Sequence, residues 1–541
     1  MPVSDTRASA PEVIRQLWNG LKVFGITSQP ATLTRIALGG LPRHGMTVAG
    51  AIAVTAKVHG DRVALLDDRG AITYAELGRA ADRLAAALDH HGLVRAGTEV
   101  AVICHDDRDL FVAAAAAGLA GAKVAQLSPR MGRAAFDAWL AHSGVELILH
   151  AADLTTFVTD RLRPEDPPER RGFDGLSQRR PHRRAVSTAE FEQLTATTPA
   201  GHPVPRRARA SASVMVTSGT TGIPKGIAIG RRANQPLAAF ALAGATGIRS
   251  GRPTLVWPPL YHGYGLAAAM LCLVVGSPVV TASALPDLSL ATGAGAAALA
   301  AIRRYGVEVV FGVPAQLRAL ADGLAGDNGP PPRLSAVLSG SDRLDQATVR
   351  ALQQAVGPVL VNFYGSTEAG TFSMATGAMV AQEACVGRPI VGTRVQIVDE
   401  NGTPVPIGVH GQVRVRSLMA SVADEPGSRW LTMGDLGYLD DRGRLHILGR
   451  TGSMARLGGE FVDPAAVQAL LAGLPGVESA TVQVAPDELY GQRLTAGVRV
   501  APGQVTDPLA WRETIRQVLG PAAVPREIAV LATGEADATG R

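Results

Sequence analysis

The sequence predicts an α/β protein: a large N-terminal body on a mostly parallel sheet, a β-rich subdomain, and a small α+β unit at the C-terminal end. Three observations carry this. From about residue 50, helical stretches alternate with short apolar strands, the pattern of layered α/β folds. After residue 385 the helices give way to short strands separated by Asn-Gly and Arg-Gly turns. From about residue 450 a smaller helix-and-strand pattern resumes.

Residues 1–45 form a weakly patterned lead-in. Val13, Ile14, Leu17, Trp18, Leu21 and Phe24 fall at helical spacing. That apolar face is expected to pack on the body, with peripheral membrane contact as the alternative. A helix is expected over 82–90, a strand over 100–104, an Ala-rich helix over 110–119, and strands over 124–127 and 147–150. Residues 161–209 hold 11 arginines, several prolines and little periodicity, which reads as a solvated surface loop. Residues 263–286 carry no charge, a run long enough to test as a membrane span. Gly276-Ser277-Pro278 and the β-branched Val279-Val280-Thr281 break it into a helix and a strand, so a buried element and no transmembrane span are expected. Strands follow over 395–398, 411–415 and 445–448. The terminal unit reads as a helix over 464–472, strands over 477–484 and 494–500, a helix over 508–519 and a strand over 527–530.

Composition narrows the function. At 541 residues, about two to four domains or subdomains are expected rather than one core. A hydrophobic content of 46% with 18% charged residues is that of a globular chain. The net charge of +5 is too small and too scattered for a nucleic-acid protein. Cys104, Cys272 and Cys385 have no paired spacing, arguing against a disulfide framework or a zinc site. The first residues, MPVSDTRASAPEV, lack a basic start followed by an apolar core, so a cytoplasmic location is expected.

The basic residues are unevenly divided: 48 are arginines and four are lysines, Lys22, Lys57, Lys123 and Lys225. GC-rich codon composition accounts for the arginines but not for which lysines remain. The last of them lies in VMVTSGTTGIPKGIAI, residues 214–229. Here an apolar strand runs into Thr217, Ser218, Gly219, Thr220, Thr221 and Gly222, then Pro224-Lys225-Gly226 and a second apolar run. Small residues let backbone N–H groups approach phosphate oxygens, hydroxyls add donors, and the lysine adds a point charge. The string is not GxxxxGK[ST], because a proline precedes the lysine and a strand follows it.

With this loop, Tyr364-Gly365-Ser366-Thr367-Glu368 and the Thr432-Met433-Gly434-Asp435 segment, the chain from about 50 to 541 resembles the adenylate-forming superfamily, most nearly its fatty acyl-CoA synthetases. The resemblance implies an N-terminal AMP-binding domain, 1–449, with stacked sheets, and a mobile C-terminal domain, 450–541, that rotates between two half-reactions. It implies ATP and Mg²⁺ as cofactors and CoA as co-substrate. Acyl-AMP forms first; the acyl group then passes to CoA, or alternatively to a carrier-protein phosphopantetheine. By the same resemblance Lys225 serves the phosphates, Tyr364 the adenine, Gly365 and Thr367 the nucleotide, and Glu368 the metal. Gly340 and Ser341 line the adenine, and Asp435 and Arg450 hold the ribose. Gly458 and Gly459 leave room for a pantetheine thiol.

Pro258-Pro259-Leu260-Tyr261-His262-Gly263-Tyr264-Gly265 resembles the segment before the acyl pocket, with His262 beside the substrate carboxylate. Amino-acid-activating relatives carry an aspartate here. None occurs in this segment, so an α-ammonium would be buried without a partner, at high cost. The small apolar run 266–275 suits an aliphatic tail. Three departures stand against the pattern. Met433 replaces a threonine, Gly452 and Ser453 replace an acidic pair, and Arg541 aligns with the adenylation lysine, where the chain stops. Arginine keeps the charge but is longer and planar, so slowed adenylation is expected. A non-catalytic nucleotide-binding relative is the reading these departures leave open.

Overall fold

The computed structural model describes residues 5–8, 10–23, 47–131, 133–162, 183–207, 211–217, 225–229, 242–244, 246–285, 293–418, 420, 430–451, 455–457, 460–487, 491–501, 506–519 and 523–531. Two large sheets organise the body. The smaller has six strands in the order Arg184–Ser187, Val145–His150, Glu99–Ile103, Lys123–Gln126, Ala212–Thr217, Lys225–Ile229. The first five are parallel and the last is antiparallel.

The larger sheet has 14 strands. Its parallel half contains Val63–Asp67, Val279–Thr281, Thr254–Val256, Val309–Gly312, Ala336–Ser339 and Leu360–Ser366. From Leu360–Ser366 it continues antiparallel through Gly370–Thr376 and Cys385–Pro389 to Leu445–Arg450 and Leu431–Leu439. The β-rich part is therefore an extension of the same sheet. The strand that begins the extension carries the Tyr364 motif, and the strands beyond it carry Asp435 and Arg450.

Helices Val48–His59, Tyr74–His90, Arg108–Leu119 and Gly263–Val275 share one buried cluster with strand residues of both sheets, including Leu65, Val100, Val124, Val256 and Leu338. Parallel strands buried on both faces need such cover. Alanine makes the layer thin enough: Ala113 to Ala117 are all buried, and a Cβ on Gly118 would lie 2.7 Å from Ala49 Cβ. Helix Tyr74–His90 starts eight residues before the sequence pattern placed it. Thr73 and Glu76 cap each other's backbone there, and that reciprocal cap fixes the start. The other face of the large sheet is covered by helices Ala294–Tyr305, Pro314–Ala325 and Gln346–Val356.

Of the run 263–286, the described residues to 285 form, as expected, helix Gly263–Val275, a left-handed Gly276 cap and strand Val279–Thr281. No helix among the described residues is long and apolar enough to cross a membrane. The C-terminal residues from Ala455 have a core of their own, with Val467, Leu471, Leu494, Val498 and Ile515 buried between two helices and a three-stranded sheet.

One expectation is corrected. The arginine-rich stretch 161–209 is not loop throughout. Arg184–Ser187 is the edge strand of the six-stranded sheet, and Phe191–Ala196 is a helix; residues 163–182 lie outside the described residues. The lead-in forms a strand, Asp5–Arg7, paired with Thr393–Val398, and a helix, Ala10–Val23. Two polar side chains hold its helix to the body. Glu12 pairs with Arg388 at 2.7 Å and Gln16 accepts from Val391 N at 3.1 Å, while Ile14 and Trp18 are 67% and 52% exposed.

Candidate active site

Ligands of open α/β sheets gather at the carboxyl ends of the strands, and Thr217, His262 and Gly340 lie at or just beyond such ends. The phosphate-loop motif is a strand–loop–strand unit. Ala212–Thr217 enters, Lys225–Ile229 returns antiparallel, and Thr217 is the register partner of Lys225. Ser218, Gly219, Thr220, Thr221 and Gly222 lie outside the described residues, between those two anchors.

On the nucleotide side, three predicted residues converge. Asp435 and Arg450 face each other on adjacent antiparallel strands, and Arg450 Nε meets Asp435 Oδ1 at 3.0 Å. The Tyr364 hydroxyl donates to Asp435 Oδ2. Both carboxylate oxygens are thus engaged. Asp435 is nearly buried, whereas Arg450 is 73% exposed. Burial raises the Asp435 carboxyl above its usual range, against the opposing pull of Tyr364 and Arg450. Burial and then the Asp435 charge push the Tyr364 hydroxyl well above the ordinary tyrosine range, so it stays a donor. Its ring stands edge-on to Phe372, centroids 4.8 Å apart.

Gly365 lets the hairpin close, since a Cβ there would sit 2.8 Å from Thr371 Cα and nearer still to the Gly370 carbonyl oxygen. Ser366 Oγ accepts from Ala369 N at 3.1 Å, shaping the turn that carries half-buried Thr367 and Glu368. Met433, the departure from threonine, packs against the buried cluster of Phe372, Val395 and Ile397. Ser339 is the register partner of Asn362, which places Gly340 and Ser341 at the level of Tyr364. Ser341 is held at φ 75°, in the left-handed region.

On the acid side, His262 ends the loop between Thr254–Val256 and helix Gly263–Val275. The loop is held at several points. Trp257 N donates to Phe311 O, Gln316 Nε2 to Trp257 O, and His262 N to Pro259 O. Gly265 lies under the carbonyls of Pro258 and Pro259. The His262 ring lies against Tyr261, centroids 4.6 Å apart, and burial lowers its pKa, which keeps it neutral at pH 7. Tyr264 joins the loop that ends in His262 to the segment of Gly340 and Ser341. Its hydroxyl donates to Leu338 O at 3.0 Å, and its ring is the nearest neighbour a Gly340 Cβ would meet, at 3.0 Å.

Sequence reasoning missed two residues. Tyr264 was read only as part of the motif. Asp106 was not read at all, yet its Oδ1 accepts from Leu260 N at 2.8 Å. The segment has no acid of its own, but the fold brings one to it from 154 residues away. No linear spacing could have signalled that. Gly458, Gly459, Gly452, Ser453 and Arg541 lie outside the described residues.

Residues 52–422 match the family described as AMP-binding enzyme. The chain belongs to that family. It is 29% identical over 464 residues to feruloyl-CoA synthase of Amycolatopsis sp, covering 82% of this chain and 87% of that one. It is 28% identical over 276 residues to fatty acid--[acyl-carrier-protein] ligase ScoC of Streptomyces coeruleorubidus, covering 48% and 51%. In fold it is similar to o-succinylbenzoate CoA synthetase of Bacillus subtilis in complex with the acyl-adenylate intermediate OSB-AMP. That match has a TM-score of 0.73 at 22% identity, over 91% of this chain and 96% of the other. The same synthetase is also known in complex with ATP and magnesium ion.

Proposed function

We propose that the protein activates a hydrophobic carboxylic acid with ATP and transfers the acyl group to CoA. The observation that carries this reading is the junction at Tyr264 and Gly340. There the loop ending in His262 meets the segment beside the Tyr364–Asp435–Arg450 cluster. An acid and a nucleotide held on these two sides would be neighbours. An oxygen of the acid's carboxylate then attacks the α-phosphorus; the new O–P bond forms as the bond to pyrophosphate breaks. In the second step the CoA sulfur attacks the acyl carbon, the C–O bond to AMP breaks, and the thiol proton leaves to solvent. Positioning and charge stabilisation do most of this work.

Asp435 suits ribose hydroxyls because a carboxylate is acceptor-only. Neutral His262 offers the substrate carboxylate a hydrogen bond without a competing full charge. Thr217 and Lys225 bracket the loop for the phosphates. Among the described residues no group of three or more His, Cys, Asp or Glu gathers to hold a metal. Mg²⁺ binds through one or two carboxylates and phosphate oxygens rather than a protein cage. Glu368 would hold it, and the ion would neutralise phosphate charge.

For the acid, we place aryl acids ahead of fatty acids. Leu266, Ala268, Ala269, Cys272, Leu273 and Val275, within the run that suited an aliphatic tail, are committed to the core. What flanks His262 instead is aromatic: Tyr261 and Tyr264, with Phe311 behind Tyr264. The relative acting on ferulate points the same way. Amino acids stay disfavoured, because the 258–265 segment itself offers no carboxylate to an α-ammonium. The test is AMP release across a panel of aryl, fatty and amino acids, with CoA, with a phosphopantetheinylated carrier protein, and with neither. Release on aryl acids that depends on CoA is expected. Release only with the carrier protein would move the acceptor. ATP binding with no release on any acid would refute the activity.

A further inference from the structure

The loop after strand Glu99–Ile103 belongs to the six-stranded sheet, yet it reaches the other sheet at two points. Arg108, the first residue of its helix, forms a two-pronged ion pair with Asp67, at 2.7 and 2.5 Å, and also donates to Gly70 O. Asp67 ends strand Val63–Asp67 of the 14-stranded sheet, and its side chain is fully buried. Asp107, the residue between, caps the helix by accepting from Asp109 N and Leu110 N. Asp106 is therefore followed by two fixed residues. Its Oδ1 accepts from the N–H of Leu260, a residue with no solvent exposure, two positions before His262.

We propose that Asp106 is a positioning residue for the acid side of the site: anchored by the two fixed residues that follow it, it clamps Leu260 N–H and so sets where the loop presents His262. This rests on the acid-activating reading for its catalytic consequence, but not for the clamp itself.

The alternative, a solvated surface acid, does not fit. Burial pushes the Asp106 carboxyl up to about 6, opposed by the Leu260 N–H and by the charges of His105 and Arg130. A carboxylate desolvated this far is costly unless it makes a needed bond. The bond it makes is the one that satisfies Leu260 N–H; His262 N is satisfied within the loop by Pro259 O. Groups that hold a reacting geometry from outside it act through such fixed supports.

The experiment uses the full chain and two readouts. The first is amide hydrogen exchange of peptides covering 257–266, which needs no substrate. Asp106→Ala should speed exchange there at least tenfold, and Asp106→Asn, which keeps an acceptor oxygen, should stay within threefold of wild type. The second is ATP–pyrophosphate exchange with ferulic acid and with dodecanoic acid as probes. Asp106→Ala should raise KM for the acid at least tenfold while KM for ATP stays within twofold, with Asp106→Asn again near wild type. Should Asp106→Ala fold poorly, Asp106→Glu carries the same test, because the extra methylene displaces the acceptor. Unchanged exchange at 257–266 in Asp106→Ala would overturn the clamp. Changed exchange with equal rises in both KM values would overturn the link to the acid. If neither acid supports exchange in wild type, the acid-activating reading fails, and hydrogen exchange alone still decides the clamp.

Discussion

Gly265→Ala tests how tightly the acid-side loop must be wound. A Cβ at Gly265 would lie 2.5 Å from Pro258 O and 2.8 Å from Pro259 C, with Pro259 O closer than either. All three are backbone atoms, so no flexible side chain can turn away. Real Cβ contacts essentially never fall below 3.0 Å. The prolines or the helix must therefore shift by about 0.5–1 Å, an overpacking change of the kind that costs about 1–3 kcal/mol. Alanine's better helix propensity returns about 0.5–1 kcal/mol, so the net loss is modest. The effect on activity should be larger than the effect on stability, because the displaced segment carries His262. A misplacement near 1 Å costs on the order of 10²-fold in rate. The assay is ATP–pyrophosphate exchange with the acid that the panel identifies. Its kcat/KM should fall on the order of 10²-fold, KM for ATP should hold within twofold, and Tm should drop by a few degrees. A variant with kcat/KM within twofold of wild type would refute the reasoning, since the loop would then tolerate the shift.

Three further outcomes follow from single contacts. Tyr364→Phe removes a donor from nearly buried Asp435, a loss of about 1.5–3 kcal/mol for a hydrogen bond to a charged group; thermal melting of the ligand-free protein should show a Tm lower by a few degrees, and an unchanged Tm would rule out a stabilising bond. Asp107 has its carboxyl raised to about 6, by burial first and then by Asp109, from an ordinary value of 3.8. The folded chain therefore holds more protons than the unfolded one between those values, and this group's contribution falls as pH rises from 4 to above 6, by about 3 kcal/mol in all. Asp107→Asn keeps the helix cap, so it should melt above wild type at pH 7.5 and converge with it near pH 4; equal melting at pH 7.5 would contradict the shift. Arg541→Lys should raise ATP–pyrophosphate exchange more than twofold if arginine is a poor adenylation cation; agreement within twofold would show that arginine serves as well.

The legible part of this protein was whatever depends on local chemistry. The apolar runs that were read as strands are strands within two or three residues, as at Val145–His150 and Lys123–Gln126, but Val63–Asp67, Thr254–Val256 and Val309–Gly312 of the large sheet were not read. Gly276 and the β-branched run beside it divided an uncharged stretch correctly. The start of Tyr74–His90 was missed because its cap, Thr73 with Glu76, lies outside the strongest apolar periodicity. The lead-in helix was legible, but the contacts that hold it were not. Its apolar spacing is real, but Glu12 and Gln16 hold it, and polar contacts over more than 370 residues leave no periodic trace. Arg184–Ser187 was hidden by composition: arginine at an edge strand faces solvent, so a charged stretch and a paired strand are compatible there.

The site divides along the same line. Tyr364, Asp435 and Arg450 could each be named from a motif, and Asp435 and Arg450 meet because adjacent strands put them in register. What a motif cannot carry is how each is already engaged. Asp435 has no free oxygen in the ligand-free chain, yet its two partners differ: Tyr364 is largely buried and Arg450 is mostly exposed. A ribose that claims Asp435 would displace the arginine at lower cost than the tyrosine, because an exposed guanidinium regains water. Asp106 shows the other limit. A scan of the 258–265 segment finds no acid, and the inference against an amino acid substrate began there. The fold supplies a carboxylate from the opposite sheet and directs it to a backbone N–H. The premise is therefore narrower than the sequence offered: the segment has no acid of its own, but one stands beside it with Oδ1 taken by a backbone N–H, and the amino acids of the panel test what its second oxygen can accept.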